Sequence, residues 1–247
     1  MDRPLTAEHM QDRARPDDQL ARLFGDGWPA FITADQEVKR YLGRVRELFG
    51  DLELVLLDPD DVIVAAGWSV PLRWSGDPVD LPGGYTDSLA RAVGGHDRGE
   101  PADTLVIAAA QVHPERRGLG IAAELLTALA GLAAERGWAR VIAPVRPTLK
   151  ARYPLTPIDR FASWTRADGA PLDPWLRTHW RMGAQIIATA PRSQTMTGTV
   201  KEWESWCGMV FPDSGEYVIP DGLAPLRIDR DADRGTYAEP NVWVRHR

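Results

Sequence analysis

Apolar residues recur at helical spacing over Asp17–Phe24 (Leu20, Leu23, Phe24) and again over Asp35–Phe49 (Val38, Tyr41, Leu42, Val45, Leu48, Phe49). These predict two amphipathic helices behind a polar, proline-punctuated segment of residues 1–16. The rhythm then changes: Leu52–Leu57 and Val62–Val70 are β-rich runs parted by Asp58-Pro59-Asp60-Asp61, which predicts a hairpin. After a Pro/Gly-containing stretch over 75–84, Tyr85–Val93 reads as a short helix and Gly94–Asp103 as a polar loop. Thr104–Val112 is almost unbroken apolar sequence, the signature of a central strand buried on both faces. His113–Gly120 turns out of it, Ile121–Glu135 is an Ala/Leu-rich helix stopped by Gly137, and Ala139–Val145 is the next strand.

From Arg146 to Pro174 the chain reads as an irregular, aromatic and basic connection with prolines at 147, 154, 157, 171 and 174. A helix over Trp175–Met182 ending at Gly183 and a strand over Gln185–Ala190 follow. The tail carries a short helix (Val200–Trp206), in which Trp203 and Trp206 share one face and read as core, and strands near 216–219 and 242–244. The organisation expected is one domain: a polar segment 1–16, a core over 17–190 with an insertion at 146–174, and an extension over 191–247 packing on that core.

Composition narrows the classes. A formal net charge of −6 on 247 residues argues against a nucleic-acid partner or a polybasic membrane surface. Cys207 is the only cysteine, which excludes an intrachain disulfide and a cysteine-rich metal site and fits a reducing cytoplasm. No signal-peptide or membrane-spanning run is evident, and no metal ligand set is expected.

The chemistry lies in the strand, turn and helix around residues 104–135. Closely spaced glycines let backbone N–H groups approach an anion, and a helix N-terminus supplies free donors and partial positive charge. A P-loop would need Gly-Lys-Ser/Thr, and this turn has no lysine. As a dinucleotide fingerprint, Gly118-Leu119-Gly120-Ile121-Ala122-Ala123 carries only alanine at its last position, and the following strand ends at Val145-Arg146 without an acidic residue. Arg117-Gly118-Leu119-Gly120-Ile121-Ala122, an Arg-x-x-Gly-x-Ala turn preceded by Val112-His113-Pro114-Glu115-Arg116, resembles the acyl-CoA pyrophosphate loop of the GNAT superfamily of N-acetyltransferases. The resemblance covers roughly 17–190 in element order. It implies an α/β (α+β) fold, a central mixed, mostly antiparallel twisted sheet flanked by helices.

It further implies acetyl-CoA or another acyl-CoA as co-substrate, with no metal, and a small-molecule amine as acceptor. Gly118, Gly120 and Ala122 would offer N–H groups to the pyrophosphate, with Arg117, Leu119 and Ile121 in the same loop, and Val112 would bond the pantetheine or thioester carbonyl. The family often carries a tyrosine four residues before the glycine closing the later helix, to protonate the departing thiolate. Here that position is His179, a residue equally able to pack beside Trp175 and Trp180, with Tyr153 as rival donor. Thr104–Val112 holds no carboxylate base, so His113, Asp159 or a water chain would have to deprotonate the amine. Where the family often has an asparagine and a small residue before this helix, Leu172 and Trp175 stand.

The connection to His179 should shape the acceptor site. Its local basic excess, with Arg152, Arg160 and Trp164 as the chosen contacts and Arg146 and Lys150 beside them, suits a carboxylate or phosphate on the acceptor. The same charges also suit structural ion pairs on a solvated loop. The expected function is acyl transfer, of acetyl in family terms, from acyl-CoA to a small amine. A noncatalytic acyl-CoA-binding module and a GNAT-like thioester decarboxylase are the alternatives. The tail beyond Gly208 could close the acceptor pocket or be exchanged between the protomers of a homodimer.

Overall fold

The computed structural model describes residues 5–15, 19, 23 and 28–246. Strands β1 (Thr6–His9), β2 (Glu53–Leu57) and β3 (Ile63–Leu72) form an antiparallel meander. Asp58 closes the β2–β3 turn: its backbone N–H donates to Val62 O (3.0 Å) and Asp61 takes the left-handed conformation the turn requires. Helix α1 (Gln36–Phe49) is capped by Asp35, whose Oδ1 accepts the Val38 N–H at 3.1 Å, and α2 (Tyr85–Asp97) packs beside it. The helix predicted over Asp17–Phe24 falls outside the described residues except Gln19 and Leu23, and Leu23 is fully buried.

Next come β4 (Thr104–Val112), α3 (Ile121–Glu135) and β5 (Arg140–Val145), as the apolar pattern predicted. β4 is antiparallel to β3 and parallel to β5. Beyond it, the connection is more ordered than its prolines suggested. It holds a 3-10 turn at Lys150–Arg152, the short helix α4 (Ile158–Ala162) and a bridge between Thr165 and Pro171. Asp173, 1% exposed, ties this segment together, capping α5 (Pro174–Arg181) through the Trp175 and Leu176 N–H groups and accepting the Leu149 N–H at 2.6 Å.

The tail departs most from expectation. The strand predicted to stop at Ala190 continues as β6 (Gln185–Gly198), so residue 190 lies within an element. Its register against β9 (Arg234–Arg245) jumps from Ala190↔Asn241 to Gln194↔Glu239. Pro191 and Pro240, which lack N–H donors, both fall in this bulge, where the ladder is interrupted. Helix α6 (Val200–Cys207), β7 (Gly215–Tyr217) and β8 (Leu226–Asp229) lie between these two strands. The sheet order is β1-β2-β3-β4-β5-β9-β8-β7, with β6 on the other edge of β9. β9 is therefore an interior strand. The mixed, mostly antiparallel sheet flanked by helices is the one expected.

Hydrophobic burial divides into a main cluster joining the sheet to α1, α2, α3, α4 and α5, a second under the tail around Phe31, Trp203, Phe211 and Tyr237, and a small third of Leu23, Val55, Leu57, Ile63 and Ala66. Trp203 is in the core as predicted, 0% exposed, and Gly235 on β9 leaves room for its indole.

Candidate active site

β4 and β5 pair only from Thr104↔Arg140 to Val106↔Ile142. Immediately beyond, the register of β3 with β4 passes from Ser69↔Ile107 to Trp68↔Ala109, so Ala108 is an extra residue. Such a bulge bends a strand. It stands where β4 leaves β5 and opens a gap between their C-terminal halves, while β5 turns to β9 for its other neighbour. Gly67 faces the bulge. A Cβ there would lie 2.7 Å from Ala109 O and 2.8 Å from Leu129 Cδ1 of α3.

The His113 N–H donates to Val64 O on β3 at 2.9 Å. Backbone groups alternate along a strand, so the Val112 N–H points away from β3, into the gap. Pro114–Arg116 then makes a 3-10 turn, and Gly118 (φ 83°) and Gly120 (φ 85°) reverse the chain in left-handed conformations. Gly120 is the N-cap of α3 without a side-chain cap; the Ala123 N–H donates to Gly120 O, leaving those of Ile121 and Ala122 without a backbone partner among the described residues. A Cβ on either glycine would meet no atom within 4 Å, so the loop is bare on its outer side. Leu119 is exposed, and Arg117 has no ion-pair partner among the described residues. Arg116 anchors the turn to Asp58 at 3.3 Å. These donors form a cradle for an anion at the mouth of the gap.

The other predicted residues separate. His113 directly follows β4, half-buried, and Tyr153 closes the 3-10 turn that follows β5, with its side chain exposed. The Tyr153 ring packs edge-on against Trp164, with centroids 5.0 Å apart. Arg152 and Arg160 are exposed and make no ion pair among the described residues. Arg146 and Lys150 do not serve the surface. Arg146 pairs with fully buried Glu239, which also accepts the Tyr237 hydroxyl. Lys150, 1% exposed, gives its ammonium to the carbonyls of Tyr153, Pro154 and Leu223, and burial brings its pKa down to about 8. Burial pushes the Glu239 carboxyl up against the pull of Arg146. Part of the basic excess is thus internal framework, not acceptor-reading charge.

His179 lies in the core, apart from the glycine loop. It is 1% exposed, its Nδ1 lies 2.8 Å from Nε2 of His246, and the His246 N–H donates to Val141 O. Val141 pairs with Leu105, at the closed end of the β4–β5 pair. Burial, with His246 adding to it, brings the His179 pKa down to about 3, leaving a neutral ring in the core. The spacing to Gly183 puts it on α5, and its ring packs with His246 beside the closed end of the strand pair.

Two features escaped the sequence reading. Gln111 is 8% exposed, and its Nε2 has no hydrogen-bond partner among the described residues. A cavity of about 490 Å³ lies between the starts of α1 and α2 and the β6 bulge. Asp35 is buried in its wall, with Oδ2 accepting from Thr86 Oγ1 (2.7 Å) and the Thr195 N–H (3.3 Å). The only signals in the sequence were a single amide in an apolar strand and a capping aspartate. No group of three or more potential metal ligands occurs among the described residues, and none of their helices is long and apolar enough to cross a membrane.

Residues 44–155 match the model of the acetyltransferase (GNAT) family. Over 247 aligned residues, 89% of this chain and 84% of the relative, the sequence is 30% identical to the arginine N-acetyltransferase avaD of Aspergillus versicolor. The loading GNATL domain of CurA from Lyngbya majuscula is similar in fold at a TM-score of 0.57 and 17% identity, covering 98% of this chain and 97% of that one. The GphF GNAT-like decarboxylase, solved with isobutyryl-CoA, is similar at a TM-score of 0.56 and 20% identity over 98% of each chain.

Proposed function

The chain belongs to the GNAT acetyltransferase family and is an acyl-CoA-dependent N-acyltransferase, and we propose that its acceptor is a small amine bearing a carboxylate, arginine being the first candidate. The observation that carries the reading is the gap at the β4 bulge, with the Val112 N–H turned into it and the bare Gly118–Gly120 loop at its mouth. The arginine N-acetyltransferase relative supports the acceptor.

In this reading, N–H groups of Gly118, Gly120 and Ala122 hold the pyrophosphate of acyl-CoA, with Arg117, Leu119 and Ile121 completing the loop. The Val112 N–H bonds the pantetheine or polarises the thioester carbonyl, stabilising the oxyanion as the amine attacks. The amine nitrogen bonds to the carbonyl carbon, the C–S bond breaks with its electron pair leaving on sulfur, and the nitrogen loses a proton. Tyr153 is the proposed acid for the thiolate and His113 the proposed base, directly or through water. Arg152, Arg160 and Trp164 are proposed to border the acceptor.

The test is thiol release from acetyl-CoA with L-arginine, agmatine and a panel of amines. Release dependent on a carboxylate-bearing amine is the expected result. No acceptor-dependent release with several acyl-CoAs would refute transfer, and release only with amines lacking a carboxylate would refute the acceptor class. The missing carboxylate on β4 favours one second reading, because decarboxylation of a malonyl thioester needs no amine deprotonated. Malonyl-CoA converted without any acceptor would establish it.

A further inference from the structure

Gln111 stands one residue before Val112 on the strand that borders the gap. It is 8% exposed, and its side-chain nitrogen finds no partner among the described residues. A buried donor left unmatched is costly, and a neutral carboxamide cannot escape the cost by changing charge. Its direction follows from the register. Gly67 meets Leu129 of α3, so that face of β3 carries α3 and, at its N-terminus, the anion-binding loop. Trp68, the next residue, leaves on the opposite face, where its ring meets Tyr85 of α2 edge-on at 5.9 Å. Ala66 shares the face of Trp68, and Gln111 lies directly across from Ala66. The amide therefore rises on the face away from the loop, beside the reacting end of the gap.

An oxygen acceptor on a molecule bound at that end of the gap would supply the partner this lone N–H lacks. We propose that Gln111 is an acceptor-binding residue, its side-chain N–H donating to a carboxylate oxygen of the amine that receives the acyl group. The inference rests on the transferase reading above.

Steady-state kinetics at saturating acetyl-CoA test it with L-arginine and agmatine, which offer the same amine with and without the carboxylate. The wild type should favour L-arginine. Q111M, similar in shape but without the donor, should raise the KM for L-arginine by about 10- to 100-fold, the range for a hydrogen bond to a charged group, and that for agmatine by less than about twofold. Q111E should penalise L-arginine at least as much, by like charge. The melting temperature of Q111M should equal or exceed that of the wild type, separating binding from folding. Equal changes for the two acceptors, an unchanged KM for L-arginine, or a wild type indifferent to the carboxylate would overturn the proposal. Acyl transfer only to amines without carboxylates would overturn it while leaving transferase activity intact. Transfer to no amine would remove both.

Discussion

Replacing Gly67 by alanine tests whether the β4 bulge opens the active site. The added Cβ would lie 2.7 Å from Ala109 O, where ordinary contact begins at 3.4 Å, so the carbonyl must retreat by about 0.7 Å. Leu129 Cδ1, at 2.8 Å, is the tip of a side chain and can turn aside. The backbone carbonyl has no such freedom, because β4 is held by β3 along one edge. Overpacking of this kind costs about 1–3 kcal/mol, offset in part by about 0.4–1 kcal/mol from a less flexible unfolded chain. The net of about 0.6–2 kcal/mol, at roughly 2–4 °C per kcal/mol for a chain of this size, should lower the melting temperature by about 1–8 °C. In the proposed reading, displacing Ala109 also moves the strand beside the thioester, and misplacement approaching an ångström can cost about 100-fold in rate. Gly131→Ala in α3 is the control, since its Cβ would meet nothing within 4 Å and alanine suits a helix better. Thermal melts and thiol-release kinetics on both variants decide the matter. A Gly67→Ala protein with wild-type melting temperature and kcat would refute the reasoning.

Three further outcomes follow from the geometry. Gly120→Val imposes a left-handed backbone on a branched side chain, so acyl-CoA affinity measured by calorimetry should fall about tenfold or more, with about 1–2 kcal/mol lost from stability. Arg146→Met should destabilise by about 3–5 kcal/mol in urea titrations by leaving Glu239 buried without its partner, while Glu239→Gln should cost less. His179→Gln should leave kcat within about twofold, because the ring lies at the closed end of the strand pair, yet lower the melting temperature. The depressed pKa of His179 also fixes a pH dependence. Between about 3 and the ordinary value of 6.5 the unfolded chain binds a proton that the folded one refuses, so its contribution is complete above pH 6.5. Stability should fall on acidification by up to about 1.4 kcal/mol per pH unit from this group, a slope that His179→Gln should reduce.

The first half of the fold was legible because its signals are local. Thr104–Val112 and Ile121–Glu135 carry strand and helix patterns strong enough to give their boundaries, and the glycines at 118 and 120 do occupy positions that need positive φ. The strand expected over Gln185–Ala190 ends eight residues short of the end of β6, because the ladder resumes beyond a bulge at Pro191 that no local pattern announces. His179 illustrates the limit of counting along a helix: four residues from Gly183 fixes a face and a height, but whether that height meets the gap depends on where β9 brings His246. Gln111 had no motif to announce it, because an orphan amide is defined by what its neighbours fail to offer.

The place of β9 has a consequence for how the chain is made. Residues 234–245 complete the sheet beside β5, whose own residues leave the ribosome almost a hundred positions earlier. Until then both β5 and β6 expose unsatisfied edges, the condition that invites misassociation between nascent chains. Such late, long-range closure favours slow folding, and it makes the gap at the β4 bulge, encoded in the middle of the chain, among the last parts to be secured.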